Sequence, residues 1–232
     1  MKIYGLQKMT LLDFPGRVAC TVFLGGCDYR CPFCHNYELA TGEAPAVMEE
    51  AELMAFLKKR QGLLDGVAIT GGEPCLHREL PSLMRQVRTL GFQVKLDTNG
   101  AHPDMLQSIL DEGLVDYVAM DIKNSPEKYA ATAGVDRVDL EAIRRSAHML
   151  MNGSVDYEFR TTLVDEFHEA GDIERIGAWI HGARRYFLQI FTDRESVPFG
   201  NLHAPDATKL RKYLEIARKH VPEVALRGAS MD

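Results

Sequence analysis

The sequence predicts an α/β domain in which six strands alternate with helices. Short apolar runs alternate with longer segments in which apolar residues recur at helical spacing. Glycine and polar residues gather directly after the apolar runs, and no repeat or low-complexity linker interrupts the chain. We therefore expect parallel βαβ units in one domain over residues 1–232. They form either an open sheet or a barrel, and periodicity alone does not distinguish the two.

Each predicted element has a local reason. Val18 begins an apolar run typical of a buried strand, and Leu53 and Leu57 share one face of a predicted helix. Pro103 stands in the first turn of another helix, and Gly113 follows its end. In chain order, the predicted elements are strand 18–24, helix 49–61, strand 66–70, helix 78–90, strand 93–97, helix 103–112, strand 117–121, helix 140–151, strand 155–163, helix 173–180, strand 185–191 and helix 207–220.

Polar and glycine-rich clusters follow four of the predicted strands. The carboxyl ends of parallel strands open onto one common mouth, both in barrels and in open sheets. We therefore expect clusters that are distant in sequence to converge in space. The four clusters are Gly25-Gly26-Cys27, Gly71-Gly72-Glu73, Asp97-Thr98-Asn99 and Asp121-Ile122-Lys123.

Composition and charge exclude several classes of function. A net charge of -6 argues against a nucleic-acid partner, because such proteins normally present a basic face. No apolar stretch approaches the roughly 18 residues of a membrane span, and the start of the chain has no apolar leader. The chain has five cysteines, an odd number, and three of them lie within one short segment. That usage favours a reducing cytoplasm and metal or redox chemistry over disulfides.

The spacing of Cys27, Cys31 and Cys34 is the most informative feature of the sequence. Cysteine thiolates hold iron–sulfur clusters, usually four for each cluster. A cubane held by three cysteines leaves one iron free to bind a substrate, as an open ligand position does at a catalytic metal. The segment therefore favours a catalytic [4Fe–4S] cluster.

Two plainer interpretations compete with this one. A structural zinc site would recruit His35, although zinc ligands usually come as separated pairs and His35 directly follows Cys34. Chance clustering of core cysteines fits poorly with a polar, glycine-rich loop. The other two cysteines have simpler interpretations: Cys20 is expected in the core of a strand, and Cys75 near the mouth without an assigned role.

The cysteine segment resembles the radical S-adenosylmethionine superfamily and, more narrowly, the activating enzymes of glycyl radical enzymes. The residues that carry the likeness are Gly26-Cys27, Cys31, Phe33-Cys34-His35-Asn36 and the upstream stretch Leu11-Leu12-Asp13-Phe14-Pro15-Gly16-Arg17. These stretches are similar to activators of anaerobic ribonucleoside-triphosphate reductase and to pyruvate formate-lyase activating enzyme. The likeness runs from about residue 5 to about residue 190 of one barrel domain. It implies a partial (βα)6 TIM-like barrel.

The resemblance also implies roles for individual residues. Cys27, Cys31 and Cys34 are expected to hold the cluster, and Phe33 to stack on the adenine of S-adenosylmethionine. The other expected cofactor-binding residues are Gly71, Gly72 and Glu73 at the methionine amino group, with Asn99, Lys123 and Arg160 nearby. A monovalent-cation site is implied at Asp97, Thr98 and Asp121, and contact with a partner peptide at Asp13 and Arg17.

Elementary chemistry explains why these residue types suit such a site. Glycines let the backbone approach the amino group closely, and a flat phenyl ring offers stacking area. Lys123 and Arg160 are suited to neutralise a carboxylate, and an arginine can add a two-pronged hydrogen bond. Each residue also has a structural alternative: Lys123 as a solvated charge, Arg160 paired with Glu158 or Asp156, Asp97 capping a turn and Phe33 in the core. The sequence departs from the family pattern at Cys75 and lacks a late histidine seen in some relatives.

The leading hypothesis is an activase that generates a glycyl radical on a large partner enzyme, most simply anaerobic ribonucleoside-triphosphate reductase. A flavodoxin or ferredoxin is the expected electron donor. One alternative is a radical enzyme that acts on a small molecule, similar to 7-carboxy-7-deazaguanine synthase. Another is a metal or redox sensor without catalysis, which should tolerate the loss of Lys123 and Arg160.

Overall fold

The computed structural model describes residues 1–228; the last four residues of the expected single domain, 229–232, lie outside the described part. Ten strands occur among the described residues. They are β1 (Lys2–Ile3), β2 (Gly5–Thr10), β3 (Ala19–Leu24), β4 (Met48–Glu49), β5 (Gly66–Gly71), β6 (Gln93–Thr98), β7 (Tyr117–Asp121), β8 (Asp156–Leu163), β9 (Arg185–Ile190) and β10 (Glu223–Arg227). All six predicted strands are present within a residue or two of their expected bounds.

Eight α-helices occur in the same range, and the six predicted helices are among them. They are α1 (Tyr37–Thr41), α2 (Glu50–Lys58), α3 (Leu80–Thr89), α4 (Pro103–Asp111), α5 (Tyr129–Ala133), α6 (Leu140–Asn152), α7 (Ala170–Trp179) and α8 (Ala207–Ala217). Caps fix several starts: the Asp139 side chain accepts hydrogen bonds from two backbone N–H groups of α6, and Asp206 caps α8. Across residues 1–228, no helix combines the length and apolar character that a membrane crossing needs.

One eight-stranded sheet forms the centre of the molecule. Its order is β10-β9-β8-β7-β6-β5-β3-β2; β2 is antiparallel to β3, and every other neighbouring pair is parallel. β1 and β4 form a separate two-stranded ribbon. Within the described residues β2 and β10 pair on one side only, so the sheet does not close. Residues from β3 and from β5 through β9 nevertheless line one common cavity, so the sheet is curved into a partial TIM-like barrel. The structure thus resolves the choice between open sheet and barrel.

The two faces of the sheet differ in character. Outward residues such as Leu96 and Phe159 are fully buried against the helices and form the apolar core. Inward residues are polar: Lys95 and Glu158 are almost completely buried, and Arg160 lines the barrel cavity. A buried charge is costly unless it is paired, so these inward positions need partners inside the barrel.

One such pair, Arg227 with Glu158, connects the last strand, β10, to the barrel interior. Arg227 of β10 donates two hydrogen bonds to the Glu158 carboxylate of β8, at 2.5 and 2.8 Å. The Tyr117 hydroxyl of β7 donates a third, at 2.7 Å. Burial opposes ionisation of Glu158, but the hydrogen bonds from Arg227 and Tyr117 outweigh it and hold the pKa of Glu158 below its ordinary value. One carboxylate therefore links β7, β8 and β10.

A buried histidine supports the end of β7. His168, before α7, is 1% exposed, and its ring nitrogens lie 2.9 Å from the Lys123 carbonyl oxygen and 3.1 Å from that of Val164. Burial holds the pKa of His168 below its usual range, because a charged imidazolium is disfavoured away from water.

The first prediction tests the close approach of β3 and β5. A Cβ at Gly72 would lie 1.9 Å from the carbonyl oxygen of Gly26, so Gly72→Ala forces two backbone segments apart. We expect a loss of about 2 kcal/mol or more in the free energy of unfolding, measured by urea titration. Gly200→Ala is the matched control, because nothing lies within 4 Å of the position that its methyl group would occupy, and its expected change stays within about 0.5 kcal/mol. Equal losses in both variants would contradict the steric explanation.

The second prediction concerns His168 and pH. Since its pKa is lower in the folded than in the unfolded state, the unfolded chain takes up the proton first as pH falls. Stability should therefore rise with pH just below the unfolded pKa of about 6.5, by at most about 1.4 kcal/mol per pH unit from this one group. His168→Gln should remove that part of the slope, and exposed His148→Gln should keep it. An unchanged slope in His168→Gln would contradict the prediction.

Candidate functional site

The carboxyl ends of the parallel strands open into a cavity of about 480 Å³. Every expected cluster, cofactor, cation and peptide residue lines this cavity except Glu73 and Arg17. Further wall residues come from the ends of β8 and β9 and from the loop after β9, including Thr162, Gln189 and Arg194. The expected convergence of the four strand-end clusters is therefore observed.

The cysteine loop is held by contacts at its middle. The Arg30 guanidinium donates to the carbonyl oxygens of Cys27 at 2.6 Å and Tyr29 at 2.8 Å. The Arg30 N–H donates to Ala133 at the end of α5, and Gly134 packs so closely that a Cβ there would lie 2.0 Å from the Arg30 carbonyl oxygen. Sequence reasoning missed α5, although Gly134 after a short alanine-rich segment marks a helix end.

Burial dominates the chemistry of the three thiols. It raises the pKa of Cys27 to about 12 and also raises the pKa values of Cys31 and Cys34. The nearby Lys123 ammonium partly opposes this in all three cases. Without a metal the thiols stay protonated, whereas a bound metal deprotonates its thiol ligands outright.

Two observations bear on whether these residues fit a cluster. Within residues 1–228, no three His, Cys, Asp or Glu side chains are arranged to bind one metal ion. A cubane does not require this, because each cysteine binds a different iron. Among the same residues, the Tyr29 hydroxyl is the buried side-chain polar atom without a hydrogen-bond partner. A buried donor without a partner in the cavity wall is consistent with a binding site, because a bound group can supply the missing hydrogen-bond acceptor.

The glycines after β5 serve the packing of neighbouring loops. Gly71 has a φ of +122°, and a Cβ there would lie 2.2 Å from the Leu24 carbonyl oxygen. A Cβ at Gly72 would lie 1.9 Å from the carbonyl oxygen of Gly26, which belongs to the loop after β3. The expectation from sequence was close approach to a ligand, and the structure adds a different requirement: the backbones after β3 and β5 touch each other.

Glu73 lies behind the cavity wall and joins β5 to β6. Its carboxylate accepts hydrogen bonds from the Cys75 N–H at 2.9 Å, the Thr98 hydroxyl at 2.8 Å and the Asn99 N–H at 2.6 Å. Burial raises the pKa of Glu73, although these three donors favour the charged form. Its expected contact with a methionine amino group stays a prediction, since the observed partners belong to the protein.

A chain of alternating charges crosses the cavity floor. Arg160 of β8 donates to Asp121 at 2.9 Å and to Asp97 at 3.2 Å. Lys123 donates to the other oxygen of Asp121 at 2.9 Å, and Lys95 pairs with Asp97. Arg160 thus pairs with neither Glu158 nor Asp156, and Lys123 is not simply a solvated charge. Three cations face two carboxylates, which leaves one positive charge uncompensated within this network.

The pKa values follow from this network. Burial alone would raise the pKa values of Asp97 and Asp121, but the Arg160 charge, with Lys95 and Lys123, holds both below their ordinary values. Burial opposes the charge on Lys123, but Asp121 outweighs it and raises the pKa of Lys123 well above its usual value. The carboxylates of the expected cation site thus have lysine and arginine partners, and Thr98 donates to Glu73. Cation binding there stays a prediction.

The aromatic and amide residues of the wall are also held in place. Phe33 is 6% exposed, and its ring centroid lies 5.9 Å from that of Phe167. Asn36 donates to the Gly71 carbonyl oxygen at 3.2 Å, which connects the cysteine loop to the end of β5. His35 contacts the Thr192 carbonyl oxygen at 2.7 Å and so joins the same loop to the segment after β9. Sequence reasoning assigned no role to His35 beyond the zinc alternative.

The two residues expected to face a partner peptide separate in the structure. Asp13 lines the cavity and accepts a hydrogen bond from Thr21 of β3 at 2.5 Å. Arg17 precedes β3 at the opposite end of the strand and contacts Gln93 at the start of β6. The structure therefore brings Asp13 to the cavity, but not Arg17, whose contact with a peptide stays a prediction.

Comparison with known proteins agrees with this geometry. The model of the radical SAM superfamily matches residues 21–174. A protein of Methanocaldococcus jannaschii, named as a candidate glycyl-radical enzyme activating enzyme, is 30% identical over 97% of this chain and 95% of its own length. The pyruvate formate-lyase-activating enzyme of Clostridium pasteurianum is 30% identical over 53% of this chain and 52% of its own.

Solved structures share the fold at low sequence identity. Streptococcus suis SuiB bound to S-adenosylmethionine is similar with a TM-score of 0.68 and 13% identity, over 90% of this chain and 52% of SuiB. The enzyme anSMEcpe with bound AdoMet gives a TM-score of 0.62 and 14% identity, over 84% of this chain and 58% of its own. This chain thus spans little more than half of either structure. The extent of the family match and the M. jannaschii relative together show that the chain belongs to the radical SAM superfamily.

Proposed function

We propose that this chain is a single-domain glycyl-radical-enzyme activase. The observation that carries the proposal is that three cysteine thiols, Lys123 and Arg160 line one cavity of a radical SAM barrel. Similarity over nearly the whole length to a protein named as an activating enzyme supports the same reaction class. The family implies a [4Fe–4S] cluster and S-adenosylmethionine.

Cys27, Cys31 and Cys34 hold the cluster in this proposal. When bound and reduced, the cluster supplies the electron that cleaves the carbon–sulfur bond of S-adenosylmethionine. The residues of this chain position the cofactor: Phe33 offers a flat face to the adenine, and the Lys123 and Arg160 side chains in the cavity wall attract the methionine carboxylate. Because both cations are already anchored to Asp121, little reorganisation is needed on binding.

The partner is a large enzyme that presents one glycine on an extended loop. An incomplete barrel suits such a substrate, because the sheet is unpaired at the outer sides of β2 and β10 among the described residues. Asp13 lies in the cavity wall, and in this proposal it contacts the loop. Anaerobic ribonucleoside-triphosphate reductase is the proposed partner, with a flavodoxin or ferredoxin as electron donor in the cytoplasm.

The proposal is tested by electron paramagnetic resonance. Reconstituted, reduced protein is mixed with S-adenosylmethionine and each glycyl radical enzyme of the source organism, and the doublet of a glycyl radical is expected with one of them. A parallel sample of partner without this protein controls for radical formation by the reductant. Release of methionine without a glycyl signal from any partner would overturn the activase assignment while leaving cofactor cleavage intact.

A small-molecule reaction is the second candidate. The 7-carboxy-7-deazaguanine synthase of Hyperthermus butylicus is 40% identical to this chain over 91 residues, which is 39% of this chain. The match covers a minority of both chains, so it favours shared cofactor chemistry more than a shared substrate. Release of methionine that depends on an added small molecule and yields no glycyl radical would favour this candidate.

The third prediction tests the cluster ligands. Cys31→Ala removes one of three thiols, so we expect iron and sulfide after anaerobic reconstitution to fall from about four of each per chain to a small fraction. Cys20→Ala is the matched control, since Cys20 is buried on the outward face of β3 and should leave the loading unchanged. Full loading of Cys31→Ala, or zinc in place of iron in the wild type, would contradict the ligand assignment.

The fourth prediction separates an enzyme from a sensor. Arg160→Lys keeps the charge that Asp97 and Asp121 need but loses the two-pronged guanidinium, so affinity for S-adenosylmethionine should fall by about tenfold or more. Equilibrium binding to the cluster-loaded protein measures this. Arg85→Lys is the control, because Arg85 makes an equally forked pair with Glu112 on the surface. Unchanged affinity in Arg160→Lys would contradict this role of Arg160, and a cluster-loaded wild type that does not bind S-adenosylmethionine would favour a sensor without catalysis.

A further inference from the structure

The sulfur of Cys27 receives two hydrogen bonds from nitrogen donors. The Tyr29 N–H lies 3.4 Å from it, and the Nδ2 of Asn99 lies 3.9 Å from it. Within residues 1–228, Asn99 is the side chain that donates to a sulfur of the three loop cysteines. Asn99 belongs to the turn after β6, which is 72 residues away in sequence. The contact is therefore a product of the fold and not of the cysteine loop itself.

Asn99 is held so that its amino group faces the sulfur. Its Oδ1 accepts a hydrogen bond from the Ala101 N–H at 2.8 Å, so turning the amide over would place two donors against each other. Its backbone N–H is fixed by the Glu73 carboxylate at 2.6 Å. The residue is 5% exposed, so water does not compete freely for the amide. Glu73 and Ala101 thus aim one specific donor at Cys27.

We propose that Asn99 is a positioning residue that tunes the reduction potential of the cluster through the Cys27 sulfur. The inference rests on the proposed function in one respect, that Cys27 is a cluster ligand. Adding one electron to the oxidised cluster makes its sulfurs more negative, and a donor held against one of them stabilises the reduced form more than the oxidised form. Hydrogen bonds to sulfur are among the factors that set the potentials of such clusters. Asn99 therefore makes the electron easier to accept.

The experiment is a redox titration of the cluster-loaded protein without S-adenosylmethionine, followed by electron paramagnetic resonance. Asn99→Leu removes the donor without adding charge, and its midpoint potential should fall by about 59 mV, which corresponds to a tenfold change in the one-electron equilibrium. Gln189→Leu is the matched control: Gln189 also carries an amide and lines the cavity, but among residues 1–228 its side chain donates to no sulfur. Its potential should match that of the wild type.

A second variant keeps the test decisive if Asn99→Leu does not load its cluster. Asn99→Asp retains the oxygen that accepts from Ala101 and replaces the donor with an acceptor, so it should also lower the midpoint potential. Equal potentials in wild type and in the loaded Asn99 variant would overturn the inference and leave the ligand assignment standing. A cluster that survives in Cys31→Ala, or fails to form in the wild type, would instead overturn the proposed function on which the inference rests.

Discussion

The buried charge chain from Lys95 to Lys123 constrains most of the structure. A barrel interior that contains two carboxylates and three cations is stable only if each charge meets its partner. The partners stand on β6, on β7 and its end, and on β8, so the register of these strands is determined by electrostatics as well as by the apolar outer face. The same constraint shapes the site, because the pairs with Asp97 and Asp121 hold the Lys123 and Arg160 side chains in the cavity wall.

Much of this architecture could be predicted from residue patterns. The apolar runs of the six central parallel strands and the amphipathic helices gave their positions to within a few residues. The elements that were missed lack such a signal. β2 is half exposed and carries no clean alternation, β10 is a short edge strand, and α5 has only five residues. Each is stabilised by its tertiary contacts, which local sequence does not reveal.

The candidate site could likewise be predicted only in part. The convergence of the strand-end clusters follows from parallel topology alone, so the cysteines, Asp97 and Lys123 could be placed in one cavity in advance. The partners of each side chain could not. The structural alternative for Arg160 was a pair with Glu158 or Asp156, its near neighbours in sequence, but Arg160 bridges carboxylates 39 and 63 residues away. Glycines expected to admit a ligand also prove necessary because two loops touch, a reason that only the packed backbone reveals.

The tie between Glu158 and Arg227 has a consequence for synthesis on the ribosome. Glu158 emerges with β8, but the guanidinium that neutralises it follows 69 residues later. Until then, burial of Glu158 inside a half-built barrel is unfavourable, because a desolvated carboxylate lacks its main counter-ion. The nascent chain therefore gains little stability by burying the region around Glu158 before Arg227 is present. We therefore expect the region around Glu158 to compact only once β10 is available to pair with it.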